Sequence, residues 1–458
     1  MKKGGTMERI WAERALLPDG WAENICVAVD QGRIVAVEPG TSGDTRVPLL
    51  LPAMANLHSH AFQRAMAGLS EAKGPEPRDT FWTWRQIMYR FLDHLTPDDV
   101  EAIASLVQME MLEAGYATNV EFHYLHHRPG GGHYDNIAEM AARIAAAASR
   151  TGIGLTLLPV HYQFGGTDRR PLAPGQNRFG TTPEEFQRLL EGAEAALRHL
   201  PADTGIGIAP HSLRAVSPEG LAACVALRPE RPLHMHLAEQ IPEIEEISAA
   251  YGRRPVEWLL DNFAPDRRWC LIHLTHMTED ETRRLAATGA VAGLCPITES
   301  SLGDGIFNGT IWAGAQGRYG FGSDSNIRIT LTEELRTLEY SQRLRDRGRA
   351  ILATPEKSTG RVIYDAGLDG GATAAGRDTG AIRPGLWADL VGIDTANPVM
   401  AGRKGDQMLD SLIFAGSDAQ ITDTWSAGRH VVKNGRHMDR DAIMSDYLAT
   451  IARLQDRM

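Results

Sequence analysis

LLLPAMANLHSH, residues 49–60, is an apolar run that ends on two histidines with one residue between them. Residues two apart in a strand point to the same side, so His58 and His60 can reach one cation from a single backbone segment. The run also opens a series. ATNVEFHY (117–124), GLTLLPVHY (154–162), GIGIAPHS (205–212), PLHMHLAE (232–239), WCLIHLTH (269–276), AVAGLCPIT (290–298) and RYGFGSDS (318–325) follow it, each short, apolar and strand-like. Helical stretches lie between them, starting at capping residues and stopping at glycine: Thr96-Pro97 towards Gly115, Thr182-Pro183, and Thr278 towards Gly289. Eight βα units of this length predict an α/β fold of the TIM-like (β/α)8 barrel type, although an open doubly wound sheet shares the pattern. No GxGxxG follows the first strand, which counts against a dinucleotide site.

Outward from this series, both ends of the chain change grammar. IWAERALL (10–17), NICVAVDQ (24–31) and GRIVAVEPG (32–40) read as short strands divided by Gly, Pro and Asp turns, and the same grammar returns in GAIRPGLWADLVGID (380–394) and ITDTWSAGRHVVKNGRH (421–437). The expected organisation is a small β-sandwich domain built from residues 1–50 and 376–440, a barrel over 51–375, and a closing helix over 441–458.

The 458 residues are 43% hydrophobic, enough for a large core. A net charge of −11 without any basic block argues against a nucleic-acid partner. Glu8, Arg9, Glu13 and Arg14 interrupt any apolar core of a secretion signal, and Met7 is a plausible alternative start. No apolar stretch approaches the roughly 20 residues of a membrane span; the Ala-rich run after Ala141 carries Arg143 and Arg150. Four scattered cysteines (Cys26, Cys224, Cys270, Cys295) without CxxC pairing fit reduced thiols, so a cytoplasmic protein with a small-molecule substrate and no membrane partner is expected.

Polar residues recur at the predicted C-terminal ends of other strands: His236 with Glu239 three residues on, His273, and Asp324. In a barrel those ends form one rim, where active sites of this architecture are built. HSH after an apolar strand, HxHxxE, a later strand histidine and an SD on the eighth strand are similar to the mononuclear deaminases of the amidohydrolase superfamily. By that resemblance His58, His60, His236 and Asp324 hold the metal, and His234 is structural. Binuclear members commonly carry a bridging carboxylated lysine, whereas no lysine occurs here between Lys73 and Lys357, so one divalent ion per subunit is expected. Three imidazoles and a carboxylate suit Zn2+, and iron could take the same donors. The implied chemistry is attack of a metal-activated hydroxide on an electron-poor C=N carbon. Asp324 would take the water proton, Glu239 would pass a proton to the leaving nitrogen, and His273 would hold the hydroxide or stabilise the intermediate.

HSHAFQRAMAGL (58–69), DTFWTWRQIMYR (79–90), EFHYLHH (121–127), HSLRAV (211–216) and SLGDGIF (301–307) resemble the N-formimino-L-glutamate deiminases. That resemblance implies a dicarboxylate substrate held by Gln63, Arg85, Tyr124, His211 and Arg214, hydrolysed to N-formyl-L-glutamate and ammonia in histidine degradation, and a homodimer. Fork-shaped guanidinium donors are suited to carboxylates. Trp82 and Trp84 read as packing residues of a rim loop, and His123, His126, His127 and His133 as a mobile substrate-side loop. Three positions depart from the family pattern: Ala53 for a glycine, Asn326 for a histidine, and Ser300-Ser301 for Ala-Asn. Two other readings stay open: a relative acting on an aromatic base or a cyclic amide such as imidazolonepropionate, and a catalytically silent barrel, which the retained ligand set argues against.

Overall fold

A computed structural model describes residues 7–71 and 81–457. Eight strand positions form the barrel: Met54–Ser59, Tyr116–His123, Gly154–His161, the paired fragments Gly205–Ile206 and Ala209–Pro210, Leu233–Leu237, Trp269–His273, Val291–Leu294 and Arg318–Phe321. Neighbours run parallel within two arcs, first to fourth and fifth to eighth. Single parallel bridges close the arcs, Ser59 with Asp324 at one seam, and Ile208 with Leu233 and Ser212 with His236 at the other. The strands are buried on both faces, as a helix-wrapped parallel barrel requires.

The helices start where local chemistry places them. Thr96, Thr182 and Thr278 each accept a hydrogen bond from the backbone three residues on, while the acid there (Asp99, Glu185, Glu281) reaches back to the Thr amide. The helices they begin span Pro97–Glu113, Pro183–Leu197 and Glu279–Ala286, and Gly115 and Gly289 follow two of them with φ of +90° and +82°.

The opening stretch divides. Leu49, Leu50 and Leu51 belong to Thr45–Pro52, a strand of the terminal sheet, and only Met54–Ser59 enters the barrel, so LLLPAMANL is two strands and not one. From Leu49 to Ser59 every residue is buried, which removes the alternation that would have shown the junction. The terminal domain is one continuous sheet of eight strands, ordered Arg436–His437, Arg429–Lys433, Ile421–Ser426, Leu390–Ile393, Thr45–Pro52, Glu8–Leu17, Gly20–Asp30 and Arg33–Pro39. Leu390–Ile393 pairs antiparallel with Thr45–Pro52 and thereby joins the two ends of the chain. The sheet curls back on itself: Ile34 N–H bonds to Leu386 O at 2.9 Å, enclosing a core that includes Ile10, Val27, Val47, Leu390 and Trp425. The last helix, Arg440–Gln455, packs on Pro97–Glu113 through Leu106, Met109 and Ile443. Among the described residues no helix is long and apolar enough to cross a membrane.

Barrel and sheet are tied at the barrel's far end by buried charge. Arg377 donates to both oxygens of Asp389 (2.9 and 3.0 Å) and to Asp203 (2.9 Å), and Arg429 donates to both oxygens of Asp203 (2.9 and 2.7 Å). Burial alone would raise the Asp203 carboxyl, but Arg429 and Arg377 override it and hold it low. Its contribution to stability is therefore complete above the unfolded carboxyl pKa of about 3.9 and is lost as pH falls through the lower folded value. Removing one partner leaves the others charged and buried, so Arg377→Ala should lower unfolding stability by about 3–5 kcal/mol. A urea midpoint unchanged from wild type would show that the clamp carries no weight.

Candidate metal centre

The rim at the C-terminal ends of the strands holds a cluster of ring nitrogens and carboxylate oxygens. His58, His60, His236 and Asp324 each present one donor atom, all within 4.8 Å of one another, and all four residues are buried. His58 Nε2 lies 3.1 Å from His236 Nε2, and Asp324 Oδ1 lies 3.2 Å from His60 Nε2 and 3.6 Å from His58 Nε2.

The surroundings decide which nitrogens carry protons. His60 Nδ1–H donates to Phe122 O (3.0 Å) and His236 Nδ1–H to His211 O (3.2 Å), so in the neutral rings the Nε2 lone pairs face inward. Burial, reinforced by the neighbouring imidazoles, drives His58 and His236 well below the ordinary histidine range. Inward lone pairs opposite a carboxylate repel unless a cation lies among them, and three N donors plus one O donor fit a divalent metal. His234, two residues before His236, donates from Nε2 to Ala374 O (2.8 Å) and takes no part.

The ligands hang on the seams of the barrel. His60 N–H bonds to Asp324 O, and Asp324 N–H to His58 O, both at 2.9 Å, while His236 N–H bonds to His211 O across the other seam at 3.1 Å. A buried polar network pins the first seam: Asn56 donates to Ser323 Oγ (2.6 Å), Ser323 Oγ–H to Asn326 Oδ1 (2.6 Å), and Asn326 Nδ2 to Ser59 Oγ and His60 O (3.1 Å each). Asn326 thus fixes the backbone of the ligand segment and does not face substrate. Asp324, Asn326, His273 and Ala238 all have φ between +46° and +74°, a costly region for these residues that here turns strand ends into the mouth.

Beside the ligands stand the proton-handling groups. His273 Nε2 is 3.8 Å from both Glu239 Oε1 and Asp324 Oδ2, and its Nδ1–H donates to Glu299 Oε1 (3.3 Å). Burial opposes the charge on His273, but Glu239, Glu299 and Asp324 outweigh it and raise the imidazole to about 10. Burial raises the Glu239 carboxyl. Its loop is held by Glu243, which accepts from the amides of Ala238 (3.0 Å) and Glu239 (2.9 Å). Asp324 stays below the usual range against the pull of burial, through the charge of His273.

Gln63, Arg85, Tyr124, His211 and Arg214 line one pocket with His60, His236, Glu239, His273 and Asp324. Gln63 donates to Tyr124 OH (2.6 Å), and Arg85 to Tyr162 OH (2.9 Å). Sequence reading missed Tyr162, Phe179, Met88, Leu302 and Ser325 in the lining, and Glu299 and Glu243 behind it. Trp84 packs against the core as expected, but from a helix, Phe81–Leu92, rather than a loop, and it also lines the pocket; the Trp82 side chain lies outside the described residues. The second histidine group is anchored loop structure: His126 and His127 donate to Val160 O (2.9 Å) and Gly180 O (2.6 Å), with their amides on Arg178 O. Arg178, fully buried, donates in turn to the carbonyls of His127, Leu92 and Leu95.

Comparison with known proteins follows this geometry. Residues 49–431 match the amidohydrolase family profile, and residues 7–46 match the profile described as formimidoylglutamate deiminase HutF, N-terminal domain. A formimidoylglutamate deiminase of Pseudomonas aeruginosa is 45% identical over 456 residues, covering 98% of this chain and 100% of that protein. The crystal structure of an amidohydrolase from Brucella melitensis superposes with a TM-score of 0.94 at 47% identity, over 98% of this chain and 100% of that one. An adenosine deaminase from Xanthomonas campestris with bound zinc shares the fold at a TM-score of 0.82 and 22% identity, over 98% of each chain.

Because Asn326 acts on the ligand backbone, Asn326→Leu should leave the protein folded but weaken metal retention about 10- to 100-fold. Competition with a chromophoric chelator measures this, and unchanged retention would remove Asn326 from the support of the centre.

Proposed function

The chain belongs to the amidohydrolase family, and within it we propose that the protein hydrolyses N-formimino-L-glutamate to N-formyl-L-glutamate and ammonia, the deimination step of histidine degradation. The observation that carries the reading is one pocket lined by two kinds of group: the guanidiniums of Arg85 and Arg214, and the proton-handling Glu239, His273 and Asp324 at the ligand cluster. A formimino-amino acid has carboxylates for the first and a basic C=N head for the second. Full-length identity of 45% to a formimidoylglutamate deiminase supports the same substrate.

A divalent ion fits the donor set, and we take it to be a single Zn2+, on the strength of three imidazoles with one carboxylate and the lack of lysine between residues 73 and 357. When bound, the ion supplies Lewis acidity that brings the pKa of a water at the centre towards about 7. Asp324, kept ionised, accepts the water proton. Glu239, whose carboxyl is raised by burial, delivers a proton to the imine nitrogen as water's oxygen bonds to carbon; the proton taken by Asp324 then passes to the same nitrogen, the second water proton returns to Glu239 as the C=O forms, and the C–N bond breaks to release ammonia. His273, held by Glu299, keeps Nε2 directed at Glu239 and Asp324 and offsets negative charge developing between them. Arg85, with Tyr162 and Tyr124 near it, orients the carboxylates. The proposal extends to a cytoplasmic homodimer without nucleic-acid or membrane partners. The net charge of −11 and four free cysteines support the compartment and the lack of nucleic acid, and the family resemblance supports the dimer.

Ammonia release from zinc-loaded protein tests the reading against N-formimino-L-glutamate, N-formimino-L-aspartate, guanine, cytosine and imidazolonepropionate. Turnover of the first is expected, and activity confined to a base would overturn the proposal. Glu239→Gln should keep its metal while kcat drops about 10²–10⁴-fold. Arg85→Met should lose about 10- to 100-fold in kcat/KM, mostly through KM, from the missing charged hydrogen bonds.

A further inference from the structure

His273, Cys295 and Asp324 make a second cluster of donor atoms within 4.8 Å of one another, every residue buried. Cys295 directly follows the seventh strand and His273 ends the sixth, so parallel neighbours carry the two. One carboxylate oxygen anchors both: Glu299 Oε1 accepts from Cys295 N–H (2.9 Å) and from His273 Nδ1–H (3.3 Å). The distance of His273 Nε2 from Asp324 Oδ2, 3.8 Å, is too long for a hydrogen bond. It is close to the donor–donor edge, about 3.3–3.8 Å, of a tetrahedron whose metal bonds are 2.0–2.3 Å.

Charge and softness favour the same conclusion. Burial, reinforced by the carboxylates of Asp324 and Glu299, raises the Cys295 thiol. A divalent ion would reverse that balance by setting positive charge against the thiolate and the shared carboxylate. A thiolate in the set selects soft or borderline ions over magnesium or calcium.

We propose that His273, Cys295 and Asp324 form a second site for a thiophilic divalent ion, one that shares Asp324 with the catalytic centre and inhibits the enzyme when filled. As the ion binds, the Cys295 proton and the Nε2 proton of His273 go to solvent, with no change of oxidation state. Inhibition follows because the ion takes up His273 and Asp324, so that part rests on the proton-handling roles given to them above. The binding part does not.

The experiment adds CdCl2 to protein carrying one zinc per chain and follows bound metal by equilibrium dialysis, the thiolate-to-cadmium charge-transfer band in the ultraviolet, and ammonia release from N-formimino-L-glutamate. Expected is a second ion per chain, a charge-transfer band that saturates with it, and loss of activity along the same curve. In Cys295→Ala, with Cys295→Ser as the closer match in shape, one zinc should remain while the second ion and the band disappear and inhibition needs at least tenfold more cadmium. Cys224→Ala and Cys270→Ala should keep the band. A band that survives in both Cys295 variants, or a total of one ion per chain because cadmium only replaces zinc, overturns the proposal. Protein that shows the second ion and the band but never releases ammonia from this substrate would keep the site and discard the substrate reading.

Discussion

The structure depends most on the closure of the barrel between its first and eighth strands. Backbone pairing there shrinks to one bridge, Ser59 with Asp324, and its two hydrogen bonds belong to the ligands themselves, His60 to Asp324 and Asp324 to His58. Closing the barrel and assembling three of the four donors are thus one event. The arrangement has a cost, because side chains crowded at a seam bring lone pairs and a carboxylate face to face, and Asp324 is held at a φ of +46°. What offsets the cost is the buried network of Asn56, Ser59, Ser323 and Asn326, in which each side chain is fixed by the next. A cation at the seam would remove the remaining repulsion, so metal binding and barrel closure should strengthen each other.

The second seam serves a different purpose. His236 and His211 face each other across it, and the fourth strand is reduced to two fragments. His211 therefore has two functions: its carbonyl fixes the ring of a ligand, and its side chain lines the pocket next to Arg214. A shift of this segment would move the ligand cluster and the substrate wall together. The distance between the reacting carbon and the carboxylate anchors is in this way coupled to the metal geometry, which suits a reaction whose rate depends on placing a small polar substrate.

The residues legible in the sequence were those whose geometry follows from the backbone alone. An HxH at a strand end projects two rings to one side, HxxE places an acid one turn into the following loop, and threonine caps mark helix starts. Glu299, Glu243 and Asn326 carried no such signal. Asn326 donates to a main-chain oxygen of a distant segment, and Glu299 and Glu243 accept from amides just ahead of their own helices, at turns whose shape exists only after folding. LLLPAMANL misled for a related reason, since a stretch buried on all sides has no polar residue to mark where one sheet stops and the next begins. The histidines of 123–133, read as a mobile loop, are in part anchored: His126 and His127 donate to carbonyls that hold the loop, and His123 ends a barrel strand.

Charge around His273 explains why the centre needs so much buried acid. Glu239, Glu299 and Asp324 converge on one imidazole, and an uncompensated set of three carboxylates at this depth would be costly. The positive charge of His273 reduces that cost, while burial raises Glu239 and Asp324 is kept low as the acid able to act as a base. Two carboxyls 3.8 Å from the same ring are thereby pushed in opposite directions, Glu239 up by burial and Asp324 down by the charge of His273. That divergence allows a proton taken from water on one side and a proton given to nitrogen on the other to be handled in the same small volume at one pH.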